Sequence, residues 1–167
     1  MSLSRPRLRQ AVIVHIAVDD LTGPAILEFL GGHLADMRTQ GPPESTHALD
    51  ADALRDPAVT VWAVRDDTGE LIGCGALKEL APDDAEIKSM RTAPWATGRG
   101  IAGTLLQHMI GEARGRGYRT LHLETGSTAY FAPARRLYLR HGFVACPPFA
   151  DYPDDPNSVH LRLDLPG

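Results

Sequence analysis

A glycine-rich turn is the segment of this 167-residue sequence with the clearest chemical meaning. It reads Thr97-Gly98-Arg99-Gly100-Ile101-Ala102-Gly103 and precedes a run with the apolar spacing of a helix. The first backbone N–H groups of a helix have no acceptor inside the helix, and the positive end of the helix dipole lies beside them. Glycines there let an anion approach the backbone closely. The turn therefore predicts a site for a phosphate or pyrophosphate group.

The spacing of the glycines leaves a second kind of phosphate ligand open, a nicotinamide dinucleotide. Gly98, Gly100 and Gly103 match the dinucleotide-binding pattern literally. In that pattern the turn follows its strand directly and opens a βαβ unit, whereas residues 93–97 intervene here after a strand that belongs to an antiparallel set. A nucleoside triphosphatase loop would need a lysine, which this turn lacks. The sequence excludes the triphosphatase and disfavours the dinucleotide.

The elements that must position this turn follow from the spacing of apolar residues, which predicts a mixed α/β chain. Strands are predicted at residues 11–18, 60–65, 71–77, 85–92, 119–125, 143–146 and 158–165. Helices are predicted after Thr22, the expected N-cap, and at residues 50–55, from 101 onward and at 132–140. Side chains alternate in a strand, so those at even positions from 86 to 92 are predicted to share one face.

A second motif ends the predicted helix at residues 132–140. It reads Ala134-Arg135-Arg136-Leu137-Tyr138-Leu139-Arg140-His141-Gly142-Phe143. Together, the turn and this motif resemble the GNAT superfamily of acetyl-CoA-dependent N-acetyltransferases, of the small single-domain bacterial type, over about residues 59–163. The resemblance implies an α/β GNAT-like fold with a mixed, mostly antiparallel central sheet flanked by about four helices. We expect one domain over residues 11–167, preceded by a flexible stretch at residues 1–10.

The resemblance also implies that acetyl-CoA is the co-substrate. Its pyrophosphate would be held by Thr97, Gly98, Arg99, Gly100, Ile101 and Ala102, and its pantetheine arm would pair with the backbone of Met90, Arg91 and Thr92. Thr97 stands where the family usually has arginine or glutamine, and Phe131 where many relatives have asparagine. We therefore expect weakened binding, with Arg99 supplying compensating charge.

Acetyl transfer needs a neutral amine, a polarised thioester carbonyl and a proton for the departing CoA thiolate. The resemblance assigns the proton donor to Tyr138, since a phenol of pKa about 10 stays protonated at neutral pH. Glu86 is the candidate general base, and a plain surface pair with Lys88 is the alternative for it. Neither motif contains a cysteine, so we expect direct attack in a ternary complex.

The acceptor pocket is predicted from polar residues near the motifs. His47, Lys88 and Glu124 are the candidate substrate-binding residues, and residues 44–47 with the proline-rich loop 147–158 are candidate walls. A small-molecule amine or amino-acid-like acceptor suits a single domain of this length. A non-catalytic acetyl-CoA-binding domain is the main alternative, and a nicotinamide-dependent oxidoreductase is the less favoured one.

Composition limits the other partners. Acidic residues outnumber basic ones by 21 to 17, for a net charge of −4, so no nucleic-acid partner is expected. No apolar run approaches the ~18 residues of a membrane span. Cys74 and Cys146 are far apart without metal-ligand spacing, so we expect no metal and a reducing, cytoplasmic location. A homodimer is expected only because relatives are often dimers.

Overall fold

The computed structural model describes residues 13–166. Eleven helices and strands, apart from short 3-10 turns, occur there in this order: β1 (Val14–Val18), α1 (Pro24–Arg38), α2 (Ala51–Leu54), β2 (Val59–Asp66), β3 (Leu71–Ala81), β4 (Asp84–Thr92), α3 (Ile101–Gly115), β5 (Thr120–Gly126), α4 (Ala132–Arg140), β6 (Val144–Ala145) and β7 (Ser158–Asp164). These elements confirm the predicted α/β class. The predictions for residues 1–10, and for the start of the strand at 11–18, lie outside the described residues.

All seven strands form one sheet in the order β1-β2-β3-β4-β5-β7-β6. Every neighbouring pair is antiparallel except β4 and β5, which are parallel. The predicted mixed, mostly antiparallel sheet with four helices is therefore confirmed. Strand β4 pairs antiparallel with β3, as predicted, and parallel with β5 on its other side. Because α3 joins the two parallel strands, the glycine turn does open a βαβ unit.

Strands β4 and β5 separate part of the way along their length. They pair only from Asp84↔Thr120 to Ile87↔Leu123, although both strands continue beyond that point. Ser89 has a φ of +56°, and the register between β3 and β4 shifts around it. An inserted residue of this kind bends a strand and strengthens its twist. The result is a gap in the sheet between the second halves of β4 and β5.

The bulge at Ser89 also changes which side chains share a face of β4. Lys88 pairs with Ala76 of β3, and Arg91 pairs with Cys74. Cys74 and Ala76 pack in the layer that contains α1, so Lys88 and Arg91 both face α1. The guanidinium of Arg91 accordingly bonds Asp36 of α1 at 2.7 Å. Met90 packs on the other face, where its sulfur covers Gly75 beside α3. The prediction of one shared face for the even positions is wrong, because the bulge adds one residue to the alternation.

A hydrophobic layer on each face of the sheet holds the helices in place. Residues Leu105, Leu106 and Met109 of α3 are fully buried on one face, whereas Ile26 and Leu30 of α1 are buried on the other. Helix α3 therefore covers one face of the sheet beside the gap, and helix α1 covers the other face. No helix within residues 13–166 is both long enough and apolar enough to pass through a membrane.

The start of α1 differs from the prediction. Gly23, and not Thr22, is the N-cap residue, and no side chain caps the helix. The hydroxyl of Thr22 instead donates to Asp20 at 2.7 Å, within the preceding turn. The carboxylate of Asp20 accepts from both the N–H and the hydroxyl of Thr22, and these bonds hold Thr22 within that turn, one residue before the N-cap.

Candidate active site

The gap between β4 and β5 opens into a cleft of about 740 Å³. Its walls come from α1, β4, β5, the start of α3, α4 and parts of the loops 39–50 and 147–158. Most predicted site residues line it: His47, Glu86, Lys88, Met90, Arg91, Thr92, Thr97, Gly98, Gly100, Ile101, Ala102, Glu124 and Tyr138. Arg99 does not line the cleft, since its guanidinium lies over the ring of Trp95, 5.9 Å from the centroid.

The glycine turn forms one end of the cleft. Gly98 and Gly100 have φ values of +78° and +77°, which favour glycine, and Gly100 is the N-cap of α3. Thr104 donates the first bond of the helix, to Gly100 at 3.0 Å, so the N–H groups before it have no acceptor within the helix. This geometry suits an anionic oxygen. The hydroxyl of Thr97 is bonded to the carbonyl of Pro94 at 3.0 Å.

Beyond the bulge, β4 has a neighbour on one side only. Arg91 and Thr92 pair with β3, while their other edge faces the gap. An unpaired strand edge can form main-chain hydrogen bonds with an extended ligand that contains amides. The hydroxyl of Ser89 is buried without a partner among the described residues. This part of β4 therefore offers both main-chain and side-chain groups to a ligand.

A cluster of three polar side chains lies before the bulge, with the side chains of Glu86 and Lys88 buried and Tyr152 partly buried. The hydroxyl of Tyr152 donates to Oε2 of Glu86 at 2.5 Å, and Nζ of Lys88 bonds the same oxygen at 3.2 Å and the Tyr152 hydroxyl at 2.8 Å. Burial, followed by the negative charge of Glu86, raises the pKa of Tyr152 far above its ordinary value. The cluster therefore ties the loop 147–158 to β4 through a neutral phenol.

Tyr152 is the functional residue that sequence reasoning missed. Its loop was expected to form a wall, but nothing singled out this tyrosine within it. The bond to Glu86 joins residues 66 positions apart, and no local pattern encodes such a contact.

Glu124 is a second carboxylate in the cleft. It is the first residue of β5 beyond the last pair with β4. Burial raises the pKa of Glu124 to about 7, with the charges of Glu86 and Asp155 adding to the increase and that of Lys88 opposing it. A carboxyl group with this pKa exchanges its proton near neutral pH.

Tyr138 places a phenol in the same cleft. Its side chain is buried and lies edge-on to Phe143, with 5.7 Å between ring centroids. Burial, and then the negative charge of Glu124, raises the pKa of Tyr138 well above its ordinary value. The phenol is therefore protonated throughout the neutral range.

Two loops are tied together beside the part of the cleft that holds Glu86, Lys88 and Tyr152, called the acceptor end below because an acceptor amine is proposed to bind there. The Ser45 hydroxyl donates to Asp155 at 2.5 Å, and the side-chain amide of Asn157 donates to Ser45 at 3.3 Å. The ring of His47 lies edge-on to that of Tyr152, 4.8 Å between centroids. Burial, followed by the charge of Lys88, lowers the pKa of His47, so this imidazole is neutral at pH 7.

Phe131 fills the space beside the end of β5. A Cβ atom added to Gly126 would collide with its ring, so the aromatic side chain requires a glycine there.

Within residues 13–166, no three His, Cys, Asp or Glu side chains are grouped so that they could hold a metal ion.

Comparison with known proteins agrees with this geometry. The chain matches the Acetyltransferase (GNAT) family over residues 28–143. It is 51% identical over 152 residues to the uncharacterized N-acetyltransferase YsnE of Bacillus subtilis (strain 168), covering 91% of this chain and 100% of that protein. It is 48% identical over 150 residues to the uncharacterized N-acetyltransferase YedL of Escherichia coli (strain K12), covering 90% and 94%. An IAA acetyltransferase of Azospirillum brasilense is 35% identical over 141 residues, covering 84% and 88%.

Solved structures show the same fold. A crystal structure of a Klebsiella pneumoniae protein superimposes with a TM-score of 0.78 at 29% identity, covering 92% of this chain and 98% of that one. A GNAT family acetyltransferase from Elizabethkingia anophelis, solved with acetyl-CoA bound, has a TM-score of 0.65 at 19% identity, covering 91% and 98%. The family match spans more than half of this chain. The matches to the two N-acetyltransferases cover 94% or more of those proteins. Neither finding supports the oxidoreductase or the non-catalytic alternative. This chain therefore belongs to the GNAT family and is an N-acetyltransferase.

Proposed function

We propose that this N-acetyltransferase moves the acetyl group of acetyl-CoA directly to the amine of a small molecule in a ternary complex. The gap between β4 and β5 is the observation that carries the proposal. It has an unpaired strand edge along one side and the start of α3 at one end. An extended chain of amides that ends in a pyrophosphate has the complementary chemistry, because amides pair with strand edges and phosphate oxygens with helix N-termini.

The acceptor end supports a small molecule as the substrate. The tie between Ser45 and Asp155 joins two loops beside the cleft, which limits the room at that end. One relative carries the name of an IAA acetyltransferase, that is, of an enzyme named for a small molecule. We infer from both observations that the acceptor is a small molecule, with His47 and Lys88 among its neighbours.

Tyr138 is proposed as the general acid. As the amine nitrogen bonds to the thioester carbonyl carbon, the C–S bond breaks and its electron pair leaves with sulfur. The phenol of Tyr138 then gives its proton to the thiolate. Burial keeps that proton on the oxygen until the thiolate forms, since it raises the pKa of Tyr138.

Glu86 was expected from the sequence to be the general base, and its contacts favour a different role. Both Tyr152 and Lys88 bond its Oε2 atom. These two donors already occupy the lone pairs of this oxygen, so it is not free to accept from an incoming amine. We therefore propose that Glu86 positions Tyr152 and Lys88 at the acceptor end.

Calorimetric titration with acetyl-CoA tests the proposal, with NADH as the parallel ligand. We expect saturable binding of acetyl-CoA alone. Linkage then predicts about 2.7 kcal/mol of added stability at a concentration 100 times Kd. Binding of NADH in place of acetyl-CoA, or of neither ligand, would contradict the proposed co-substrate. Release of CoA when a small-molecule amine is added tests the transfer itself.

A further inference from the structure

Glu124 and Lys88 stand opposite each other where the gap begins. The last pair of the two strands is Ile87↔Leu123, so these are the first residues beyond it on β5 and β4. Glu124 shares a face of the sheet with His122, whose register partner is Glu86. Its carboxylate therefore lies on the same face as Glu86 and Lys88, and it lines the cleft.

The two carboxylates, of which Glu86 is buried and Glu124 partly buried, differ in their partners. Glu86 forms a salt bridge with Lys88, with 3.2 Å between the charged atoms. Glu124 forms no salt bridge with any side chain in the described part of the chain. A partly buried carboxylate that has no cation in direct contact is under-compensated, and an incoming ammonium group would supply the missing charge.

The charged and titratable groups around Glu124 come from every element that packs near it. These are Glu86 and Lys88 of β4, Tyr138 of α4, Tyr152 and Asp155 of the loop 147–158, and His160, its register partner on β7. Lys88 is already bonded to Glu86 and Tyr152. Burial lowers the pKa of His160, so its imidazole adds no positive charge at pH 7. The surroundings of Glu124 are therefore acidic on balance.

We propose that Glu124 is the catalytic base, and that it binds the acceptor as a primary ammonium cation and removes its proton. The inference rests on the proposed function and adds the residue that prepares the amine. Glu124 takes one proton from the ammonium group, and the neutral amine attacks the thioester. The adduct loses a second nitrogen proton as sulfur leaves. Tyr138 gives one proton to the thiolate and regains one, and Glu124 releases its proton to solvent, for a net release of one proton per turnover.

The electrostatics of the site agree with this role. A general base works best when its pKa lies near the operating pH, and burial raises the pKa of Glu124 to about 7. Glu124 also lies close enough to Tyr138 for its charge to raise the pKa of the phenol. The proposed acid and base thus line the same cleft.

The test measures CoA release with acetyl-CoA and three amines, tryptamine, spermidine and L-methionine, between pH 5.5 and 9. The variants are Glu124→Gln, Glu86→Gln and the matched control Glu112→Gln, whose side chain is exposed on α3 outside the cleft. For the wild type, we expect kcat/KM to rise about tenfold per pH unit below 7 and to level off above it. Glu124→Gln should remove this rise, reduce kcat/KM at pH 8 about 100-fold and leave the acetyl-CoA affinity unchanged.

Two results of the kinetic test would overturn the inference while leaving the proposed function intact. They are a pH profile that is unchanged in Glu124→Gln, or one that is removed only in Glu86→Gln. A readout that needs no acceptor is the ¹³C NMR titration of the Glu124 carboxyl carbon, assigned by its absence from Glu124→Gln. A midpoint near 7 supports the inference, and one near the ordinary value of 4.5 overturns it. Absent acetyl-CoA binding by the wild type would instead refute the proposed function.

Discussion

Tyr138 of α4 and Glu124 of β5 line one cleft from different elements, and the negative charge of the carboxylate raises the pKa of the phenol. A proton donor must keep its proton until the thiolate appears, and a proton acceptor must be free of one when the ammonium arrives. The proposed roles fit the two groups in opposite ways, because burial holds the phenol neutral and brings the pKa of the carboxyl to about 7.

Removing the Tyr138 hydroxyl should slow turnover without preventing acetyl-CoA from binding. In Tyr138→Phe we expect kcat to fall about 100-fold, since a positioned proton donor contributes at least that factor. Steady-state release of CoA measures the change, and calorimetry measures binding. Tyr118→Phe is the matched control, because Tyr118 is also buried but bonds Glu79 away from the cleft. Unchanged kcat in Tyr138→Phe would refute the assignment.

A side chain at Gly100 should weaken acetyl-CoA binding and destabilise the fold. The φ of +77° costs an alanine roughly 1–2 kcal/mol of folding free energy, and the added Cβ alters the turn that would receive pyrophosphate. Urea denaturation and calorimetric titration of Gly100→Ala measure both effects. The control Gly111→Ala lies inside α3 with open space around its Cβ, and should gain about 0.5–1 kcal/mol. Equal acetyl-CoA affinity in Gly100→Ala and wild type would contradict the anion site.

Loss of the Tyr152 hydroxyl should loosen the acceptor end. Tyr152→Phe keeps the aromatic contact with His47 but removes bonds to Glu86 and Lys88, so the buried pair is left less satisfied. We expect the free energy of unfolding to fall by about 1–3 kcal/mol in urea denaturation. Relative to the wild type, the KM for the amine should increase more than the KM for acetyl-CoA. Tyr130→Phe, half-exposed, should change stability by less than about 0.5 kcal/mol. A KM increase confined to acetyl-CoA would contradict the placement of Tyr152.

Neutralising Glu124 should stabilise the protein at high pH. The folded pKa of about 7 exceeds the unfolded value of 4.5, so the folded state binds more protons between these pH values. The wild type therefore loses stability as pH rises from 4.5 to 7, by up to about 3 kcal/mol, and Glu124→Gln escapes this loss. Urea denaturation should show that the free energies of unfolding of variant and wild type differ at pH 8 and are closer to each other at pH 4.5. A difference independent of pH would contradict the raised pKa.

The two cysteines should react very differently with a thiol reagent. Cys74 is fully buried, burial raises the pKa of its thiol to about 12, and the thiol donates to the carbonyl of Ser89. Cys146 is only partly buried. We expect iodoacetamide at pH 8 to label one cysteine in the folded protein and two after unfolding, as mass spectrometry would show. Cys146→Ser should abolish labelling of the folded protein. Rapid labelling of Cys74 would show that the core around it opens.

Local patterns predicted the parts of the site that lie within a few residues of one another. The glycines of residues 98–100 and the helix at Ala132–Arg140 were visible in the sequence, because a turn and an amphipathic helix are encoded by adjacent positions. The bulge at Ser89 was not visible, since a non-glycine residue with positive φ leaves no compositional sign. The bond between Tyr152 and Glu86 was equally hidden, because only the folded sheet and loop bring these residues together.

The bulge at Ser89 divides β4 into two halves that address a ligand differently. Before it, Glu86 and Lys88 present side chains to the proposed acceptor end of the cleft, and beyond it Arg91 and Thr92 present an unpaired main-chain edge to the gap. Substitution changes a side chain but leaves main-chain hydrogen-bonding groups in place. The first half of the strand can therefore diverge to suit new amines while the second half keeps its capacity for the common co-substrate, so one strand combines a variable and an invariant form of recognition.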